Sequence, residues 1–126
     1  MKKSIITFCL LLAIKTLSIA GNPEIFNAIM SGNAENLSKY FEESVEVCIN
    51  NSQEIYSKQD AIQVIQQFLK NNKPVSIKEA HQGASKNSNS KYTIANLQTS
   101  SGSYRVYIFI KNHPNKTIIQ EIRFDK

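Results

Sequence analysis

The fold is decided by residues 91–125, KYTIANLQTSSGSYRVYIFIKNHPNKTIIQEIRFD. Apolar and polar side chains alternate through three parts of this stretch, residues 91–99, 103–111 and 117–125. Such alternation predicts strands whose two faces differ in polarity, and the polar segments between them predict turns. Residues 75–82 have the composition of a fourth strand, so this half of the chain is predicted to form an antiparallel meander.

Helices and a hairpin are predicted upstream of the meander. Asn22 can cap a helix that begins at Pro23, and Asn33 can cap a second short helix. Residues 45–49 are typical of a strand, and the polar turn after them returns the chain as a hairpin. A longer amphipathic helix follows Ser57. The order is that of a single α+β domain with two short helices, a hairpin, a helix and four strands.

Residues 1–20 have the pattern of a secretory signal peptide. The basic start Lys2-Lys3 precedes an apolar run, residues 5–14, and small residues lead to the junction Ala20-Gly21. We therefore predict cleavage at this junction, an exported protein that is periplasmic or extracellular, and a domain of residues 21–126. The apolar run is too short for a stable membrane span, and the alternative is an uncleaved anchor or a buried helix.

Composition and charge narrow the choice of partners. The chain has 126 residues with 15 basic and 10 acidic side chains, a formal charge of +5 and a pI near 9.3. Removing residues 1–20 takes away three lysines and no acid, which leaves a charge of +2. No basic stripe with interleaved aromatic residues remains, so nucleic-acid binding is not expected. Cys9 is lost with the signal, so Cys48 is left without a disulfide partner.

One face of the predicted meander is apolar enough to pack on the helices. If Ser101-Gly102 is a two-residue turn, Leu97 pairs with Val106 and the faces of all three strands follow. The inner face is then predicted to contain Ala95, Leu97, Tyr104, Val106, Ile108, Ile110, Ile118, Ile122 and Phe124. Its few polar groups are Thr93, Thr99, Gln120 and the Tyr104 hydroxyl.

The opposite face is less polar than a solvated sheet face normally is. Its predicted members are Tyr92, Ile94, Asn96, Gln98, Arg105, Tyr107, Phe109, Ile119, Glu121 and Arg123. A large exposed apolar patch with charged residues at its rim is typical of an interface. The alternative is a scattered apolar surface on a monomer, and a one-residue slip in register would exchange the faces of a strand.

Several short segments resemble known proteins. They are Met30-Ser31-Gly32-Asn33, Lys39-Tyr40-Phe41, Tyr56-Ser57-Lys58, His81-Gln82-Gly83, Tyr104-Arg105-Val106-Tyr107 and Ile119-Gln120-Glu121-Ile122-Arg123. Their order resembles a family of small secreted bacterial proteins, the domain of unknown function 4783, over residues 22–125. The order of elements resembles the nuclear-transport-factor-2-like (cystatin-like) fold, in which a curved, mostly antiparallel sheet wraps a long helix. The family has no established activity, so the resemblance assigns no catalytic residue.

The resemblance implies two places where binding could occur. The fold implies a cone-shaped cavity, in which Tyr104, Gln120 and His81 would be polar contacts for a small hydrophobic ligand. Proteins of this fold often pair through a sheet face, which predicts a homodimer through the outer face. Enzymes of the superfamily place an acid in the cone, and Glu79 with His81 is the one acid–base pair that this chain offers on a shared strand face. A structural hydrogen bond is the alternative for that pair.

We therefore predict an exported, non-catalytic ligand-binding or assembly module with an apolar cone. One alternative is a small proton-transfer enzyme, similar to isomerases and dehydratases, that uses Glu79 and His81. The other is a purely structural homodimer whose cone is filled. Neither a cofactor nor a metal is expected, because two distant histidines and one cysteine do not form a ligand set.

Overall fold

The computed structural model describes residues 22–85 and 89–126, so the predicted signal peptide lies outside the described residues. The described chain contains two α-helices, one 3₁₀ helix and six strands. In order they are α1 (Pro23–Met30), the 3₁₀ helix (Ala34–Tyr40), β1 (Ser44–Ile49), β2 (Ser52–Ser57), α2 (Lys58–Asn71), β3 (Pro74–Ala84), β4 (Ser90–Thr99), β5 (Gly102–His113) and β6 (Lys116–Asp125). This is the predicted element order.

The six strands form one sheet in the order β2-β1-β6-β5-β4-β3. All neighbours pair antiparallel except β1 and β6, which are parallel. The buried residues of the helices and of one sheet face form a single hydrophobic core. We call the sheet face in this core the inner face and the opposite one the outer face. The prediction of an α+β fold with a mostly antiparallel sheet is confirmed.

Helix α2 contributes one apolar face to the core. The Ser57 side chain accepts a hydrogen bond from the backbone N–H of Asp60 at 3.2 Å, which fixes the start of the helix as predicted. The buried side chains of α2 are Ala61, Ile65, Phe68 and Leu69, at the spacing of one helix face. This face lies against the inner face of the sheet.

An aromatic cluster forms the contact between α2 and the middle of the sheet. The ring centroid of Phe68 lies 4.9 Å from that of Tyr104 on β5, edge to face, and 4.6 Å from that of Phe124 on β6. Both distances are within the range favoured for aromatic pairs. The Tyr104 hydroxyl donates to Asn72 Oδ1 at 3.2 Å, so its polar group already has a partner at the end of the helix.

The N-terminal helices are attached to α2 by one side chain. Gln66 Nε2 donates to the backbone carbonyl of Gly32 at 3.0 Å, and Gln66 Oε1 accepts from the backbone N–H of Ala34 at 2.8 Å. Gly32 has φ +73°, a left-handed conformation that suits the turn between α1 and the 3₁₀ helix. The caps predicted at Asn22 and Asn33 are both present.

The hairpin between β4 and β5 differs from the predicted one by its turn residues. The two turn residues are Ser100 and Ser101, because Thr99 pairs with Gly102. Leu97 consequently pairs with Tyr104 and not with Val106. The partner of each β4 residue is thus two residues earlier on β5 than predicted. Because side chains alternate with a period of two, this shift leaves every side chain of both strands on its predicted face.

A bulge in β6 corrects three of the predicted positions. Phe109 pairs with Glu121 but Ile110 pairs with Ile119, so Gln120 is an extra residue between two pairs. Because of this bulge Ile119 belongs to the hydrophobic core, with 0% exposure, and Gln120 is exposed. Ile118, predicted on the inner face, pairs with Lys111, is absent from the hydrophobic core cluster and lies on the outer face. The placement of Ile118 on the inner face, of Ile119 on the outer face and of Gln120 in the cone was therefore wrong.

A second bulge, in β3, separates the predicted acid–base pair. Glu79 pairs with Ala95 but His81 pairs with Ile94, so Ala80 is the extra residue. Ala95 is buried on the inner face and Ile94 lies on the outer face, and the side chains of Glu79 and His81 follow their partners. The expectation that both side chains share one face was wrong for this reason.

The aromatic cluster predicts the cost of removing Phe68. Phe68→Ala removes a buried ring from the centre of the core, and we expect the free energy of unfolding to fall by about 3–5 kcal/mol. Val75, which is 64% exposed, provides the control: Val75→Ala should change stability by less than about 0.5 kcal/mol. Chemical denaturation monitored by circular dichroism measures both, and equal effects would contradict this account of the core.

Candidate functional site

The outer face carries the candidate site. Strand pairing aligns the side chains around the site in three rows that run across the sheet from β2 towards β3. The first row is Ile55, Glu46, Glu121, Phe109, Tyr92 and Gly83. The second row is Gln53, Cys48, Arg123, Tyr107, Ile94 and His81. The third row begins on β6 and is Asp125, Arg105, Asn96 and Lys78.

The middle of this face is apolar and aromatic. Tyr92 and Ile94 on β4 pair with Phe109 and Tyr107 on β5, and all four side chains are half-buried. The ring centroids of Tyr92 and Tyr107 are 5.9 Å apart and the rings are stacked, while His81 lies 5.7 Å from Tyr92. We call Tyr92, Ile94, Tyr107 and Phe109 the apolar patch.

Gly83 provides the space in which the Tyr92 ring lies. A Cβ atom at Gly83 would meet the Cε2 atom of Tyr92 at 2.5 Å and its hydroxyl oxygen at 2.8 Å, closer than real Cβ contacts. Gly83 is the cross-strand partner of Tyr92. The glycine therefore lets the ring lie flat across β3, where it reaches His81.

A charged group borders the apolar patch on β6. Arg123 Nη1 donates to Glu121 Oε2 at 3.2 Å, and Arg123 Nε donates to Asp125 Oδ2 at 3.5 Å. The hydrogen bond to Glu121 raises the pKa of the Arg123 guanidinium above its ordinary value. Burial first, and then the Glu121 carboxylate, raise the pKa of Tyr107 above its ordinary 10.0. Arg123 is thus held charged beside a neutral Tyr107 at physiological pH.

The acidic side chains of the outer face lie on one side of the apolar patch. The acids Glu46, Glu121 and Asp125 lie on β1 and β6, on one side of the apolar patch. Lys78 lies on β3, on the other side, and Arg105 lies on β5 in the same row. The sequence analysis placed Arg105, Glu121 and Arg123 on this face but missed that the acids lie on one side of the apolar patch and Lys78 on the other, because this depends on the order of strands in the sheet.

Cys48 also belongs to the outer face, which the sequence analysis did not predict. It is the strand partner of Arg123 and is only 1% exposed. A buried thiol is not available for a disulfide with another molecule. Alternation within β1 places Cys48 on the same side as Glu46, and this was the signal that could have located it.

Of the three predicted ligand contacts in the cone, one lies on the inner face. Tyr104 does point inward, but it is 6% exposed and its hydroxyl contacts Asn72. Gln120 and His81 do not line this face, for the reasons given above. Glu79 points inward from the edge strand, and its Oε1 atom is buried without a hydrogen-bond partner. The structure therefore does not bring the three predicted pocket residues together.

Four surface cavities of the described residues lie away from the core aromatics. None of these four is lined by Phe68, Tyr104 or Phe124. One, of about 330 Å³, lies between α1 and the 3₁₀ helix and is lined by Glu24, Glu35 and Lys39 among others. Across residues 22–85 and 89–126, no three His, Cys, Asp or Glu side chains are grouped so that they could hold a metal ion.

None of the helices within residues 22–85 and 89–126 combines the length and the apolar composition that crossing a membrane requires.

Solved structures show which proteins this fold resembles. DUF4783 family proteins from Bacteroides ovatus and Bacteroides uniformis are 30% and 33% identical, with TM-scores of 0.76 and 0.74. The matches cover 83% and 82% of this chain and 94% of each of those chains. A DUF4783 family protein from Bacteroides fragilis, 29% identical with a TM-score of 0.76, matches 85% of this chain over 99% of its own length.

More distant structures share the fold alone. An NTF2-like protein from Cytophaga hutchinsonii has a TM-score of 0.59 at 10% identity, covering 82% of this chain and 89% of that chain. No curated protein matches the sequence. The family described as "Domain of unknown function (DUF4783)" matches residues 22–125. The chain belongs to this family and has a nuclear-transport-factor-2-like fold.

Proposed function

We propose that the protein is an exported, non-catalytic assembly module that forms a homodimer through the outer face of its sheet. The observation that carries the proposal is the apolar patch, four half-buried apolar and aromatic side chains on the two strands β4 and β5. The helices of the described chain pack on the other face and contribute to the core there. An apolar area of this kind, bordered by charged residues, is typical of a protein interface.

The packing of the inner face favours assembly over ligand binding in the cone. Phe68, Tyr104 and Phe124 occupy the space between α2 and the sheet with ring contacts of 4.6 and 4.9 Å. The polar group of Tyr104 is already used within the protein. A ligand would have to displace these side chains from the core. The packing therefore supports a cone that is filled by the protein's own side chains.

The strand geometry also favours assembly over proton-transfer catalysis. A general acid and a general base must both reach one substrate. The bulge at Ala80 directs Glu79 to the inner face and leaves His81 on the outer face beside Tyr92. The pair cannot act on a common substrate in this arrangement.

Export and the single cysteine fit a non-covalent dimer. The predicted signal peptide supports a location outside the cytoplasm, where exposed thiols form disulfides readily. Cys48 is buried beside Arg123 and is thereby withheld from that chemistry. Association would then depend on the apolar patch and the charges around it.

Replacing one apolar side chain tests the assembly directly. Ile94→Lys places a charge inside the apolar patch, and we expect residues 22–126 to change from a dimer to a monomer in sedimentation velocity at about 100 μM, because burying an unpaired ammonium group is costly. Ile55→Lys is the matched control, since Ile55 is on the same face but lies on edge strand β2 and is 73% exposed. It should remain a dimer. A wild-type protein that stays monomeric at this concentration would falsify the proposal.

The contact between Gly83 and Tyr92 gives a second test. Gly83→Ala displaces the Tyr92 ring from its position across β3, so we expect a weaker dimer and a changed near-ultraviolet circular dichroism spectrum. The same substitution in a Tyr92→Ala background has no ring to displace, and its effect on both measurements should largely disappear. Equal effects in the two backgrounds would show that the ring position is not involved.

A further inference from the structure

The centre of the apolar patch lies on the line between two strands. Tyr92 and Ile94 come from β4, and their partners Phe109 and Tyr107 come from β5. The patch therefore extends by one strand to each side of that line. On one side the next strand is β6 and on the other it is β3.

These two neighbouring strands differ in charge. On the outer face β6 carries Glu121 and Asp125 together with Arg123, which already contacts both acids. The outer face of β3 carries Lys78 and, among its described residues, no acid, because Glu79 points inward. Asp125 and Lys78 lie in the same row of the sheet, at equal distances in strands from the line between β4 and β5.

A second copy of the chain fits this arrangement by symmetry. Let the outer faces of two copies meet about a two-fold axis that is parallel to the strands and lies midway between β4 and β5. The β4 strand of each copy then lies over the partner's β5, and each β6 lies over the partner's β3. The apolar patches then cover each other, and Asp125 of each copy lies opposite the partner's Lys78. An axis between β5 and β6 would instead bring the apolar Phe109 against the carboxylate of Glu121.

We propose that the partner on the outer face is a second copy of this chain, docked about a two-fold axis between β4 and β5 and held in register by two equivalent contacts between Lys78 and Asp125. This inference rests on the proposed function and adds the geometry and the residues that select the partner. Opposite charges across an interface exclude wrong registers more than they add affinity. Strands β1 and β2 lie outside the contact, which leaves Glu46 and Ile55 in solvent.

Charge reversal tests the two contacts. In sedimentation velocity of residues 22–126 at low salt, Lys78→Glu and Asp125→Lys should each weaken homodimerisation by about tenfold or more, because each brings two pairs of like charges together. The double variant restores both contacts and should recover the wild-type dimer. An equimolar mixture of the two single variants should also form dimers, since both contacts in the mixed pair join opposite charges.

Controls and outcomes separate this inference from the proposed function. Lys70→Glu changes an exposed lysine on α2, away from the sheet, and should leave the dimer unchanged. If the wild-type protein is a monomer, the proposed function and this inference both fail. If the wild-type protein is a dimer but single reversals have no effect, or neither the mixture nor the double variant restores it, assembly stands and this docking geometry is overturned.

Discussion

The packing of Phe68 against Tyr104 and Phe124 is the interaction on which the rest of the structure depends. It joins the one long helix to two central strands, β5 and β6, and these strands in turn hold β4 and β1. Burial of aromatic rings supplies a large share of the free energy available to a domain of this size. The same contacts occupy the inner face, so the outer face is the sheet face that the helices of the described chain leave uncovered.

The two bulges determine which side chains reach that outer face. In β6, the extra residue Gln120 moves Ile119 into the core while Glu121, Arg123 and Asp125 alternate outward beyond it. In β3, the extra residue Ala80 brings His81 beside Tyr92. Without the first bulge Ile119 would lie on the outer face, and without the second His81 would share the inner face with Glu79.

Much of the fold could be predicted because local signals agree with the tertiary structure. Asn22, Asn33 and Ser57 cap their helices as their positions indicate. The succession of strands along the chain follows from alternation and turns. The turn at Ser100 lies one residue earlier than predicted, but the predicted faces of β4 and β5 were still correct because the shift in pairing preserved them. Capping and alternation depend on neighbouring residues, which is why a single sequence displays them.

The bulges were harder to predict, and the two cases differ. In β6 the consecutive apolar pair Ile118-Ile119 is followed by the polar pair Gln120-Glu121, and this break in alternation could have indicated an extra residue. In β3 the residues around Ala80 are mostly polar, so no apolar side chain reports a change of face. The candidate site also depends on which strands are neighbours, a long-range property that alternation does not contain.

The parallel pairing of β1 with β6 has a consequence for how the chain acquires its structure. Strand β1 is the first strand along the chain and β6 is the last, so the hairpin of β1 and β2 joins the sheet only when the C-terminal residues are available. Contacts between segments this distant in sequence form late, because the intervening chain must first lose conformational entropy. The sheet of the polypeptide leaving the ribosome therefore stays incomplete until the residues of β6 have been synthesised.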